Sequence, residues 1–425
     1  MSATTTATKV AATRVFNRSF TAIFLAYFLV NLALNMANNL ATPYARDLGA
    51  SPVVMGIVAT GFTYGAIVFK LASAPAIDAF NRKWVLLAAV GVIAVATIGY
   101  ALSSNVPTLI TFRIIQGIGQ AFTATTFVAL AADTLPREKL AAGMGVFALG
   151  TAGATMLGAP IALNIQAATS YQFTFLTALI ALVLGAVAVV LITAKQRERK
   201  KFRISLKGFI APEAIPSALM QFFFMLAWTS VLSFIIVYGQ SQGLGSDVGY
   251  FNTVYGLAIF ATAPLGGRLT DRFGYFMLIP MLAFMSAALI VISFADDLPT
   301  LLIAAVLGAL GYGAAGPVVR SITMSVVPKT RRGAASSTIF LASDIGQLVG
   351  PILGGVIIST LGYAAMYRIA PVYLVLALVL LLVSYRYWNR RAASVAETER
   401  ATEAAEVEAS KATAAQTAQV SQDRA

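Results

Sequence analysis

Residues 171–193 read YQFTFLTALIALVLGAVAVVLIT and hold no charged side chain. The run stops short of Lys195, and a basic stretch follows with Arg197, Arg199, Lys200, Lys201, Arg203 and Lys207. About 20 mostly apolar residues suffice to cross the hydrocarbon core of a bilayer as a helix. Lipid offers no hydrogen-bond partner, so such a run must form a helix or join a closed barrel. The alternating ten-residue pattern of a membrane barrel is absent, and the run reads as a helix. Outward from it, similar runs place twelve spans at roughly 20–42, 52–73, 84–103, 107–131, 141–164, 171–193, 212–238, 248–266, 276–294, 299–327, 335–360 and 364–387. The first run follows Arg14 and Arg18 and exceeds the core of a signal peptide, so it reads as a retained span.

Composition agrees. Of the 425 residues, 58% are hydrophobic and only 11% charged, against roughly 25% charged in a soluble domain. The chain has no Cys and no His. Disulfides, Cys/His metal sites, thiol nucleophiles and imidazole acid–base chemistry are thereby excluded, and a carboxylate is the expected proton-carrying group. No phosphate-binding loop of the nucleotide-hydrolysing type is present, nor a nucleophile–base or dyad pattern, so the chain reads as neither an ATP-driven pump nor an enzyme. No cofactor or metal is expected, and a proton gradient is the expected energy source.

The basic residues orient the spans. With a cytoplasmic N-terminus, 26 of the 30 Lys and Arg fall on the cytoplasmic side. Only Arg46 and Arg368 fall outside, while Arg113 and Arg320 lie within spans. That asymmetry is the positive-inside pattern. It accounts for the net charge of +13 without nucleic acid as a partner. The expectation is a multi-pass protein of a bacterial cytoplasmic membrane, with both termini cytoplasmic.

The basic loop 195–211 divides the chain into six spans and six spans. Asp78 and Asp271 follow the second span of each half, Pro136 and Pro328 end the fourth, and Gly158 and Gly350 lie in the fifth, each pair 192 or 193 residues apart. Three anchors at one offset imply a duplicated six-helix unit, an arrangement of transporters with a midplane site. The expected layout is a disordered segment 1–15, a bundle 16–194, a linker 195–211, a bundle 212–391 and a disordered tail 392–425.

Between spans 8 and 9 the chain reads Gly267-Arg268-Leu269-Thr270-Asp271-Arg272-Phe273-Gly274. This resembles the loop signature of the major facilitator superfamily, with its Gly, Asp, Arg and Gly falling on Gly267, Asp271, Arg272 and Gly274. The first-half loop keeps Asp78, Arg82 and Lys83, but has Ala74 and Asn81 where the family has Gly. Span 4 carries Arg113-Ile114-Ile115-Gln116-Gly117-Ile118-Gly119, similar to the family's Arg-x-x-Gln-Gly-x-Gly. Span 11 carries Gly346, Gly350, Pro351, Gly354 and Gly355, similar to the Gly-Pro motif of the family's exporters, usually recorded in span 5. Span 5 itself has Gly158-Ala159-Pro160, with the Pro displaced by one. Small residues at four-residue spacing also let helices pack closely in lipid, so packing alone is the alternative to gating. The resemblance covers residues 16–390 and implies an all-α protein of two pseudo-symmetric six-helix bundles working by alternating access. It implies no particular substrate.

Ionised groups at bilayer depth are costly and face a cavity or a partner. Arg113 heads a stripe with Gln116, Gln120 and Thr123 on one helix face. In the family, the residue matching Arg113 is implicated in proton transfer or in structure. Arg320 and Asp344 lie at similar depth on spans 10 and 11, where an ion pair is the economical arrangement. Asp344 is the one carboxylate placed well inside the membrane and is the coupling candidate, with Arg320 and Arg113. Asn31, Asn35 and Asn38 form a polar face of span 1, suited to substrate or to helix contacts. Gln221, Trp228, Asn252, Tyr255 and Tyr312 are cavity candidates from the second half, with packing as their alternative. The reading is a monomeric secondary transporter of a small organic solute, proton-coupled and exporting. Uptake or exchange of an organic anion is the alternative, and a non-transporting sensor or scaffold is a third.

Overall fold

The structure is a computed structural model. The described residues are 17–135, 139–192 and 210–422, without the side chains of residues 74, 141–142, 263–268, 270–271, 404 and 406–422. They form helices and no strand. Six helices come first: α1 (Arg18–Asp47), α2 (Pro52–Ala79), α3 (Arg82–Leu102), α4 (Val106–Thr134), α5 (Leu140–Ala168) and α6 (Tyr171–Val190). Then come α7 (Ile215–Ser241), α8 (Tyr250–Phe273), α9 (Leu278–Ile292) and α10 (Leu298–Gly308). The last are α11 (Ala314–Ser325), α12 (Arg332–Leu361), α13 (Tyr363–Ile369) and α14 (Pro371–Gln422). Eleven helical segments among the described residues are long and apolar enough to cross a membrane. α8, at 24 residues, is the twelfth of spanning length.

Local chemistry sets the starts. Asn105, Ser170 and Asp297 accept the backbone N–H three residues on and cap α4, α6 and α10. Asn81 caps α3 through the Lys83 N–H at 3.0 Å, with φ −67°. Its counterpart Gly274 has φ +68°, a left-handed conformation that favours Gly. The first-half loop therefore manages without the second Gly of the family signature, because its chain turns by capping a helix instead.

One expected span is interrupted. Between α10 and α11, residues Ala309–Gly313 form a π-helical turn. Such a turn breaks the regular hydrogen-bond ladder, and Thr262 Oγ1 of α8 donates to the Ala309 carbonyl at 3.2 Å across it. The turn shifts the register of every side chain from Tyr312 onward.

The chain divides into two compact units, Met1–Tyr44 with Tyr64–Ile204, and Ala45–Thr63 with Ser205–Ala425. The first half of α2 thus belongs with the second unit, where the duplication places it in the first bundle. Bare backbones explain this. A Cβ on Gly56 would collide with the Pro351 carbonyl, and one on Gly355 with the Pro52 carbonyl. Within the second unit α12 also lies along α7. A Cβ at Gly346 would fall 2.6 Å from Met225 Cβ, and one at Gly350 would fall 2.7 Å from the Leu226 carbonyl. Gly158 of α5 lies as close to Asn35 of α1, at 2.5 Å by the same measure. α7 is the most enclosed helix, 72% of its apolar window buried against 33–50% elsewhere, so its polar side chains face protein.

The tail departs from the expected disorder, since α14 runs on to Gln422. Residues 392–422 hold no Gly or Pro and are rich in Ala and Glu, strong helix formers. Glu399 and Glu403, one turn apart, meet the loop before α12. Glu399 accepts the Lys329 backbone N–H at 2.7 Å and lies 3.6 Å from Arg332, and Glu403 pairs with the Lys329 ammonium. The pairing lowers the Glu403 carboxyl from its ordinary 4.5 and raises Lys329 from its ordinary 10.5. A lowered acid contributes above its unfolded value and a raised base below its own, so the contact is at full strength between those two values. It fades below the first and above the second. Surface pairs stabilise little, so Glu399→Gln with Glu403→Gln is expected to leave the melting midpoint unchanged. Limited trypsin digestion should still register the change as severalfold faster cleavage at Arg400. Equal cleavage rates at pH 7 would show that the acids do not hold the tail.

Candidate functional site

In the first unit, polar side chains of three helices converge on Arg113. It is 1% exposed, and its guanidinium donates to Asn38 Oδ1 at 2.6 Å and to Gln116 Oε1 at 2.9 Å. Gln116 Nε2 donates to Asn38 Oδ1 at 3.2 Å, and the Tyr100 hydroxyl of α3 donates to Gln116 Oε1. The three-residue spacing of Arg113 and Gln116 on α4 puts both on one face, and the planar fork of a guanidinium reaches two oxygens at once. Tyr100 was not singled out in the sequence. Its signal was the one phenolic hydroxyl in a mostly apolar span. Gln120 Oε1, one turn further, is buried without a hydrogen-bond partner among the described residues, and Thr123 bonds within its own helix at 3.2 Å.

The asparagines of α1 divide. Asn38 joins the arginine network, whereas Asn31 and Asn35 donate to the carbonyls one turn back, Tyr27 and Asn31, at 2.8 and 2.9 Å. Those amides keep their oxygens for other groups.

In the second unit the cavity candidates form an aromatic cluster. Trp228 of α7 and Tyr255 of α8 have centroids 4.8 Å apart, and Trp228 and Tyr312 stack at 5.9 Å with planes 13° apart. The indole lies over Gly308, where a Cβ would come within 2.5 Å of it. Trp228 Nε1, the Tyr255 hydroxyl and Gln221 Oε1 are buried and make no well-aligned hydrogen bond among the described residues, although Trp228 faces Tyr255 and Gln221 faces Tyr312. The Tyr312 hydroxyl donates to the Met225 sulfur at 3.6 Å, a weak acceptor. A buried polar group left unsatisfied costs about 1–3 kcal/mol. Asn252 is buried beside them on α8.

The expected ion pair of Arg320 with Asp344 is not formed. The Arg320 guanidinium lies over the Phe340 ring, 5.8 Å from its centroid, and the side chain is exposed. Phe340 sits one turn before Asp344 on α12. Asp344 is half-buried.

At the loop ends, Arg82 pairs with Asp133 of α4 and lies 3.7 Å from Asp78. Lys83 donates to the Val190 and Ile192 carbonyls at 2.6 and 3.0 Å, satisfying the C-terminal end of α6. Asp133 was missed because it lies at the far end of α4, 51 residues from its partner. In the second loop, Arg272 stands over the Phe273 ring at 5.3 Å. The side chains of Gly267 and Asp271 lie outside the described residues. Gly117 and Gly119 are buried on α4, and Pro160, Pro351 and Gly354 lie within α5 and α12.

The sequence profile of the Major Facilitator Superfamily matches residues 23–275 and again residues 217–418. The chain belongs to the Major Facilitator Superfamily. It is a multi-pass membrane transporter of that type. It is 23% identical to the staphylopine export protein of Staphylococcus aureus, over 80% of this chain and 88% of the relative. It is 24% identical to the multi-drug resistance efflux pump PmrA of Streptococcus pneumoniae, over 68% of this chain and 75% of the relative. Among solved structures, a POT family transporter in complex with 5-aminolevulinic acid shares the fold. Its TM-score is 0.72 at 14% identity, covering 87% of this chain and 96% of that one.

Proposed function

We propose that this major facilitator protein exports a small organic solute across a bacterial cytoplasmic membrane, coupled to proton entry. Its termini face the cytoplasm, it acts as a monomer, and it works by alternating access. Export is supported by the names of relatives, an export protein for staphylopine and a multidrug efflux pump. The observation that carries a translocation role is the pair of buried polar clusters inside lipid-spanning helices, on Arg113 and on Trp228. Asp344, half-buried with no imidazole anywhere in the chain, is the coupling acid. The Lys and Arg asymmetry supports the orientation.

A second reading, uptake or exchange of an organic carboxylate, is favoured by the exposed guanidinium of Arg320 at span depth. The test is proteoliposome flux with an imposed pH gradient of either sign. Export predicts solute movement against proton entry, and symport of a carboxylate predicts movement with it. Asp344→Asn should abolish gradient-driven flux while leaving counterflow of labelled solute intact. Gradient-driven flux that survives in Asp344→Asn removes Asp344 from coupling.

A further inference from the structure

Within the first unit, α2, α3 and α4 enclose a cavity of about 390 Å³ near the loop that joins α2 to α3. Its walls include Ala72, Ala76 and Phe80 of α2, Ala88 and Val92 of α3, and Phe122 of α4, and no polar side chain lines it. Two ties hold the helices around it. At one end α2 meets α4 backbone to backbone, since a Cβ on Gly65 would collide with the Ile114 carbonyl. At the other, Arg82 bridges Asp133 of α4 and Asp78 of α2. α3 and α4 close the floor, where a Cβ on Gly119 would fall 2.6 Å from the Ala89 carbonyl. The cavity is the space left where small side chains on α2 and α3 face one another between these fixed points.

The lining decides what can fill it. A water held in a cavity needs about 2–4 polar partners, which these walls do not supply. The same lack excludes a sugar, an amino acid or an ion. Hydrocarbon, by contrast, gains the dispersion contacts that a dry void forfeits. Shape narrows the class. Ala72 and Phe80 stand eight residues apart on α2, about 12 Å at helical rise, so the cavity runs along the helix axes as lipid chains run along the bilayer normal. One leaflet of the hydrocarbon core is about 15 Å deep. Trp84, four residues past Phe80 and 68% exposed, marks the interface level at which aromatic residues gather. The lining side chains that stand exposed, Phe80 and Ala88, belong to α2 and α3, while those of α4 are buried or half-buried, so the cavity opens between α2 and α3. That mouth continues into exposed apolar surface, with Val68 one turn from Ala72 and Val95 two turns from Ala88.

We propose that this cavity seats one acyl chain of a membrane lipid, inserted between α2 and α3 and resting against α4. The site reads the chain and not the headgroup. The cations beside its mouth are already committed, Arg82 to two carboxylates and Lys83 to the Val190 and Ile192 carbonyls at 2.6 and 3.0 Å. Zwitterionic and anionic lipids of the same chain therefore serve alike. The seated chain supplies the packing that Ala72, Ala76, Ala88 and Ala89 are too short to give, and props α2 between its two ties to α4. The assignment requires only that these helices stand in a bilayer and does not rest on the export reading.

The test is photocrosslinking of the full chain in phosphatidylcholine nanodiscs doped with a phosphatidylcholine that carries a mid-chain diazirine, with adducts mapped by peptide mass spectrometry. Ile118, Gly119 and Phe122 form the wall across from the mouth, and Gly119 is buried. Val183 and Leu184 of α6, each 52% exposed, report ordinary lipid contact. Adducts are expected on the α4 wall at no less than half the yield found on α6. Ala76→Phe and Ala88→Leu narrow the cavity from α2 and from α3. Each should lower the α4 adducts at least fivefold and leave the α6 adducts unchanged, which also shows that the variant is folded and embedded. The exposed Ala88 tolerates a larger side chain should Ala76→Phe fail to fold. The same chain on phosphatidylglycerol should label α4 within twofold of phosphatidylcholine. No α4 adducts in the unsubstituted chain, α4 adducts indifferent to both substitutions, or a fivefold preference for one headgroup would overturn the assignment. Labelling of α4 by a dissolved phenyl diazirine but not by the lipid probe would give the cavity to a free lipophile and refute the acyl chain.

Discussion

Arg113→Leu is expected to destabilise the first unit by about 3 kcal/mol, the low end for two hydrogen bonds to a charged group. The low end applies because polar contacts in membranes are worth less on average, as the membrane-embedded unfolded chain finds partners too. Two bonds are lost directly, to Asn38 Oδ1 and Gln116 Oε1. The two amide oxygens then share the Gln116 Nε2 and Tyr100 donors, which cannot replace a five-donor fork. Arg113→Lys should recover about half the loss, since an ammonium is a point donor that cannot grip both oxygens with the same geometry. Tyr100→Phe removes one hydroxyl and should cost the least, about 1 kcal/mol. Thermal unfolding of the detergent-purified variants reads the order Arg113→Leu, Arg113→Lys, Tyr100→Phe. An unchanged midpoint in Arg113→Leu would mean the network does not hold α1, α3 and α4 together. Flux adds the functional reading. If Arg113→Lys restores stability and transport stays lost, Arg113 does more than tie three helices.

What the sequence made legible follows from how lipid simplifies the problem. A bilayer demands long apolar helices, so a run such as 171–193 announces itself, and α6 begins at Tyr171 as that run does. Charged residues punctuate the spans because they cannot enter lipid cheaply, and eleven apolar helices stand where the runs lie. Spacing on one helix was equally readable, since Arg113 and Gln116 face the same way by helical geometry alone. Contacts between helices were not. Nothing local says that Tyr100 completes the Arg113 network or that Asp133 meets Arg82. The pairing of Arg320 with Asp344 failed for the same reason. Equal depth was inferred from residue counts, which do not give the direction of either side chain, and the Arg320 guanidinium lies over the Phe340 ring instead. Composition that fails to make a core can still make a single helix, as α14 does beyond residue 392.

Gly355→Ala is expected to loosen α2 from α12, although it adds one carbon to a helix. The added Cβ would collide with the Pro52 carbonyl, which is backbone and cannot rotate away. The neighbour Gly354 is the control, because its Cβ would meet only side chains, Phe234 and Ser230, at 3.3 and 3.4 Å. Overpacking costs about 1–3 kcal/mol, and each 1.4 kcal/mol is tenfold in an equilibrium. The open state of this contact should therefore rise by about 5- to 150-fold in Gly355→Ala and stay within a few fold in Gly354→Ala. The chain has no Cys, so Val53→Cys would be its single thiol, and its rate of maleimide labelling reads the opening directly. Labelling no faster in Gly355→Ala than in Gly354→Ala would mean that α2 and α12 are not held by this approach. The reciprocal contact sharpens the test. Gly56 faces the Pro351 carbonyl across the same pair of helices, so Gly56→Ala should open it too. Once α2 has moved to admit one methyl group, the second is admitted at little further cost. The double variant should thus label scarcely faster than either single one, a non-additivity expected of residues sharing one contact. Additive effects would instead mean two separate contacts, and α2 would bend between Pro52 and Gly56 rather than move as a rod.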